Sequence, residues 1–394
     1  MYKIVSVLCI ILFAGCQNSG KNCNVTEGKK LLIPSQSAIT IEDLIADYDT
    51  IRLEASNHSL LSGILLVRTM NNKLYITDNT LSIVFIYSMQ GKYLSKICNQ
   101  GEGPEEYIKI SSFETDPANN RLLLTDSFSK RLFEYDENGK LQQVISLDFS
   151  PTSIVSDISK RYIHLNSGGK DQYSDQRMES NNVHIVNNRG KVVDTFLKDE
   201  TPKRLDIRSA SAASYAENGE LLYMPLLSDT IYRIHQSEAI PEYIFDNQTG
   251  LKTLSEKDKE TLYYKYGDNN IEEMEQKRYL LTCGGFLHSD SLIFLDMGWN
   301  IPLYTYYSKK HKSAITINPD ELRGNKGLCA IFSTHPKVIT GKSFYINIAP
   351  EQIQYALPLL PESKLKTFFE AMTENDNPCI IVYRLNEDLF TDKN

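Results

Sequence analysis

The chain has 394 residues, with 42 Lys plus Arg against 50 Asp plus Glu and a net charge of -8, so it lacks the basic footprint a general nucleic-acid binder needs. Hydrophobic residues at 41% and charged residues at 23% are ordinary globular usage and exclude a wholly disordered or collagen-like chain. The 23 Tyr and 15 Phe beside a single Trp tilt the class toward strands.

At the start, the positive Met1 to Lys3, the apolar run Ile4 to Phe13 broken only by Ser6, and the small pair Ala14 and Gly15 read as a secretory signal. Ten residues of helix rise about 15 Å, half of a hydrocarbon core of about 30 Å, so this run is not expected to span a membrane. Phe13-Ala14-Gly15-Cys16 is similar to a bacterial lipobox, in which Cys16 becomes the lipidated first residue; an ordinary signal with a chance cysteine is the alternative. Residues 1–16 are thus the signal, 17–34 a polar tether and 35–394 the folded body.

Asn72-Lys73-Leu74-Tyr75-Ile76-Thr77-Asp78 recurs as Asn120-Arg121-Leu122-Leu123-Leu124-Thr125-Asp126, 48 residues on. The register continues through Phe85 and Phe133, Tyr87 and Tyr135, Gly91 and Gly139, and Ile97 and Ile145, so a whole unit repeats. Asn138-Gly139 between two apolar runs predicts a type I′ hairpin. Weaker copies at Arg161 to Leu165, Leu221 to Met224, Leu292 to Asp296 and Phe344 to Asn347 bring the total to six. Units of 40 to 50 residues with four short strands predict an all-β, six-bladed β-propeller. Two helical patterns interrupt it, an insertion at 253–280, capped by Ser255 with Asp258 three residues on, and a helix at 363–372. The last unit is one strand short, and Asp49 to Glu54 is expected to supply that strand and close the ring.

Five cysteines follow Cys16: Cys23, Cys98, Cys283, Cys329 and Cys379. They have no zinc-type spacing, and four lie in apolar, strand-like surroundings that predict buried free thiols. Cys329 and Cys379 are placed on the first and third strands of one blade. Strands two apart lie about 9 to 10 Å from each other, beyond the roughly 7 Å a disulfide tolerates, so no bridge is expected.

The lipobox-like Cys16, the strand Ile51 to Glu54, the loop Gly101-Glu102-Gly103-Pro104-Glu105-Glu106-Tyr107 and the closing strand Asn377 to Tyr383 together resemble the six-bladed, NHL-like propeller lipoproteins of Gram-negative gut bacteria. The resemblance implies fold, export and lipid anchoring in the cell envelope, at the outer membrane, and assigns no reaction.

Candidate chemistry stays sparse. Glu102, Glu105 and Glu106 suit a cation or a sugar hydroxyl if their loop is functional, and otherwise belong to an inter-blade turn. Asp78 and Asp126 end equivalent strands, either as turn formers or as groups pointing into a shared opening. Trp299, after a strand, stacks on a sugar or packs in the core. The seven histidines show no repeated placement, and no nucleophile elbow, HExxH or dinucleotide fingerprint occurs. Loops after second strands emerge on one propeller face, which gathers Asp78, Asp126, Phe128, the segment Ser167 to Asn181 with Tyr173, and Trp299. Two functions follow. The first is a membrane-tethered module binding a glycan, a peptide or an envelope protein through that face, without a cofactor or metal. The alternative is a lactonase-like or lyase-like enzyme using a divalent cation such as calcium at the channel mouth.

Overall fold

The computed structural model describes residues 28–391, apart from 79, 158, 160, 167–177, 179, 200–212, 256, 259–273, 275, 280–284, 299–301 and 374. Cys16, Tyr173, Trp299, Cys23, Cys283 and most of the 253–280 insertion therefore lie outside the described residues.

Six antiparallel sheets form a ring, a six-bladed β-propeller. Two strands precede the first blade, β1 (Lys29–Ile33) and β2 (Ile45–Ile51), separated by the short helix α1 (Ile41–Leu44). Blade one is β3 (Leu66–Met70), β4 (Lys73–Asp78), β5 (Ile83–Ser88) and β6 (Tyr93–Ile97). Blade two is β7 (Ser112–Asp116), β8 (Arg121–Asp126), β9 (Arg131–Asp136) and β10 (Leu141–Ser146). Blade three is β11 (Ile154–Ser156), β12 (Tyr162–Leu165), β13 (Asn181–Val186) and β14 (Val192–Lys198). Blade four is β15 (Ala213–Tyr215), β16 (Leu221–Tyr223), β17 (Thr230–His235) and β18 (Glu238–Asn247). Blade five is β19 (Gly285–His288), β20 (Leu292–Asp296), β21 (Tyr304–Ser308) and β22 (Ser313–Ile317). Blade six has only β23 (Val338–Thr340), β24 (Ser343–Ile348) and β25 (Cys379–Leu385) of its own. The six expected copies are the six second strands.

Second strands read as apolar runs because both of their faces are covered. Leu74 and Ile76 pack toward Tyr345 and Ile380 of blade six, whereas Tyr75 between them packs toward Phe113 and Leu122 of blade two. The turns between third and fourth strands repeat too. Gly91, Gly139 and Gly190 each have φ between +73° and +84°, and each donates its N–H to the carbonyl of the residue three before it, Ser88, Asp136 or Asn187. Asn138 does not share the positive φ, so the expected type I′ turn is instead a longer turn that ends on a left-handed glycine. A Cβ at Gly190 would lie 1.9 Å from the Ser146 carbonyl oxygen, because the outgoing strand of blade two runs against this turn.

β2 pairs antiparallel with β25, Ile45 opposite Leu385 and Ile51 opposite Ile380, and closes the ring as the outer strand of blade six. Arg384 bonds Asp47 and Asp49 across this seam, and Arg52 clasps Asp376. A second N-terminal strand was not expected. Lys29–Ile33, within the segment read as tether, pairs in parallel with β18 and adds a fifth strand to blade four. Its Leu31 and Ile33 are fully buried against blades four and five.

The expected C-terminal helix forms at Lys364–Glu370 with Ser363 as its cap. One placement is corrected. Cys329 lies on a helix, Lys326–Phe332, and not on a first strand, since the Asn325 side chain accepts the Leu328 N–H and starts a helical turn in a run that reads as apolar strand. Cys379 is on the third strand, and Cys98, Cys329 and Cys379 are free thiols. Cys98 is exposed rather than buried. No helix among the described residues is long and apolar enough to cross a membrane.

Candidate functional site

Asp78 and Asp126 end β4 and β8 where the incoming loops reach their blades. Asp78 Oδ2 accepts the Ser62 and Gly63 N–H groups at 2.5 and 3.2 Å, and Oδ1 that of Leu81 at 3.0 Å. Asp126 Oδ2 accepts the Ile108 N–H and the Ser129 hydroxyl, and Oδ1 the Phe128 N–H at 3.0 Å. Both side chains are completely buried and engaged with the chain's own donors, as turn formers are. Asp296 holds the same position in blade five without that support. Its Oδ1 receives the Gly298 N–H at 3.3 Å, its Oδ2 lies 3.4 Å from His335 Nε2, and burial pushes its carboxyl up to about 7.

The glycine-rich loop is built around Tyr107. That residue is fully buried, donates its hydroxyl to the Ser82 carbonyl at 2.8 Å, and exchanges backbone bonds with Asn99 and Gly101. Glu106 Oε2 accepts the Gly103 N–H at 2.8 Å, and a Cβ at Gly101 would lie 2.0 Å from the same oxygen. Glu106 therefore closes the loop on itself, and Arg131 secures it through the Gly103 carbonyl at 2.7 Å.

What the aspartates hold is more informative than the aspartates themselves. The segments they tie down carry Leu60, Leu65, Leu81, Ile108 and Phe128, all exposed, Phe128 to 68%. Five large apolar side chains thus stand at one end of two adjacent blades on a backbone fixed from beneath. Phe128 was legible in the sequence. The others were not, because an aliphatic residue in a loop gives no sign of its exposure.

At the opposite end of the inner strands lies a cavity of about 340 Å³ in the central channel, rimmed by turn residues such as Asn71 and Glu217. Arg68 on β3 makes a two-pronged ion pair with Glu114 on β7, Nε to Oε2 and Nη2 to Oε1 both at 2.7 Å. Glu217 accepts the Asp290 and Gly341 N–H groups, joining blades four, five and six. Lys337, just before β23, lines the same cavity. Burial and then the Arg68 guanidinium push its ammonium below the ordinary lysine range. His288 also lines it and is held neutral, burial pushing it down to about 3. None of these residues stands out in the sequence by type or spacing, although Arg68 and Glu114, 46 apart, nearly share a register of the repeat. Among the described residues no group of three or more His, Cys, Asp or Glu is placed to hold a metal ion.

The sequence pattern of the DUF4934 family, a domain of unknown function, matches residues 27–384. No curated protein sequence matches the chain. In fold it is similar to a candidate exported protein of Bacteroides fragilis, with a TM-score of 0.72 at 16% identity over 91% of this chain and 100% of the other. A DUF4221-family member from Bacteroides vulgatus aligns with a TM-score of 0.46 at 11% identity, covering 87% of this chain and 97% of its own. A virginiamycin B lyase from Staphylococcus aureus gives a TM-score of 0.40 at 10% identity, over 76% of this chain and 81% of its own.

Proposed function

The chain belongs to the DUF4934 family, and from that premise we propose that it is an exported, lipid-anchored module of the bacterial cell envelope that binds another envelope protein through the loop end of blades one and two. The observation that carries this reading is the set of exposed side chains Leu60, Leu65, Leu81, Ile108 and Phe128 on loops that the buried Asp78 and Asp126 tie down. Exposed apolar groups cost solvation unless a partner covers them, and a set of four aliphatic side chains with one aromatic suits a protein surface better than a glycan, which asks for several aromatic platforms and many polar groups. The signal-like run and Cys16 support export and anchoring, as does the likeness in fold to a candidate exported protein. The test is site-specific photo-crosslinking in intact envelopes, with the reactive residue at Phe128 and, as comparison, at Asn71 on the opposite end. A discrete protein adduct from position 128, lost in the L81D/I108D variant and absent from position 71, is the expected result. Equal adducts from both positions, or none from 128, defeat the reading.

A further inference from the structure

The channel cavity holds one cation without a direct partner, a feature that the binding face does not use. Four charged side chains line it: Arg68, Glu114, Glu217 and Lys337. Glu114 is engaged by Arg68, and Glu217 by two backbone N–H groups. Arg68 is itself committed, its third nitrogen donating to the Val67 carbonyl at 3.1 Å and reaching the Lys337 carbonyl at 3.5 Å. Lys337 is left over. Its ammonium makes no ion pair or hydrogen bond among the described residues, and burial together with the Arg68 guanidinium disfavours its charge. An uncompensated ammonium in a partly dehydrated cavity is unfavourable, whereas a bound anion would return the lost interaction.

We propose that this cavity is a binding site for a small carboxylate-bearing molecule, whose carboxylate pairs with the Lys337 ammonium. Its volume, about 340 Å³, falls at the lower end of small-molecule sites and suits a ligand of roughly monosaccharide size. The wall offers hydroxyls as well, Thr69 and Thr340 standing 2.9 Å apart across the seam of blades six and one. The four lining charges sum to zero, so what favours an anion is local: one carboxylate pairs with the one ammonium that lacks a direct partner. A phosphate dianion would add a second negative charge beside Glu114 and Glu217, where the low dielectric makes like-charge repulsion expensive.

The site is independent of the loop face and is tested on the full chain by calorimetric titration with acetate, lactate and glucuronate, with glucose and inorganic phosphate as comparisons. At least one carboxylate should bind with one-to-one stoichiometry, more tightly than phosphate, and glucose should not bind. Lys337→Met should weaken that carboxylate by about tenfold or more while melting no lower than the unliganded wild type, since it removes an unpaired charge. A second measurement needs no variant: in wild-type protein the bound carboxylate should slow acetylation of Lys337, read by mass spectrometry, without slowing that of the exposed Lys29. Failure of all three carboxylates to bind, tighter binding of phosphate, undiminished binding by Lys337→Met, or unprotected Lys337 would each overturn the assignment.

Discussion

One repeated position, the aspartate that ends a second strand, carries two opposite electrostatic outcomes. In Asp126 the carboxylate is satisfied by three donors, so Asp126→Ala should leave buried N–H groups without an acceptor and cost about 3 kcal/mol in urea unfolding at neutral pH. Asp296 is the reverse case. Its folded pKa, about 7, stands above the ordinary 3.8, so the folded state binds a proton that the unfolded state has released. Stability from this group is fully present below 3.8 and is lost as the pH rises through about 7. Asp296→Asn, which stays neutral, should therefore be more stable than wild type at about pH 8, with the advantage shrinking by about pH 5. A variant less stable than wild type at the higher pH would show that the ionised carboxylate is wanted there.

At the scale of elements, ring closure rests on β2, whose backbone pairs with β25 from Ile380 to Leu385 and whose acidic residues hold Arg384. A chain beginning at Ser56 should lose cooperative melting or melt far lower than one beginning at Ser35, which lacks β1 as well, because blade six is left with an open edge beside a dissolved seam. Equal melting of the two would show that closure does not depend on this strand. The closure was legible because blade six visibly lacked a strand and Asp49 to Glu54 visibly had no partner, although the strand itself is Ile45–Ile51 and Arg52 to Glu54 lie beyond its end. The second strands were legible for a different reason, since burial on two faces writes an unbroken apolar run. β1 was hidden. It is a five-residue segment, paired in parallel with a strand more than two hundred residues away, and Lys29 and Lys30 make its first half look solvated. Inner strands of three residues, such as β11, β15 and β23, carry too little pattern to predict. The cavity they line was therefore out of reach, and Lys337 could not be recognised as unpaired until its neighbours were in place.

For the molecule as a whole, the proposed anchoring turns on one residue near the start. Cys16→Ser should abolish metabolic labelling with a fatty-acid analogue and leave an uncleaved precursor, while the propeller itself melts as before; undiminished labelling would refute the lipobox reading. The placement of β1 bears on how such a protein meets load. A pull on the chain ahead of Lys29 does not reach the seam between β2 and β25 directly. It is delivered to the edge of blade four, where β1 lies alongside β18 in parallel, from Lys29 opposite Tyr243 to Ile33 opposite Asn247. Tension along that strand loads its backbone bonds together in shear instead of opening them one after another. The buried Leu31 and Ile33 must also be dragged out of their core before the strand yields. The first five-residue strand thus stands between the leading segment and the clasp that keeps the ring shut, so that force on that segment meets blade four first.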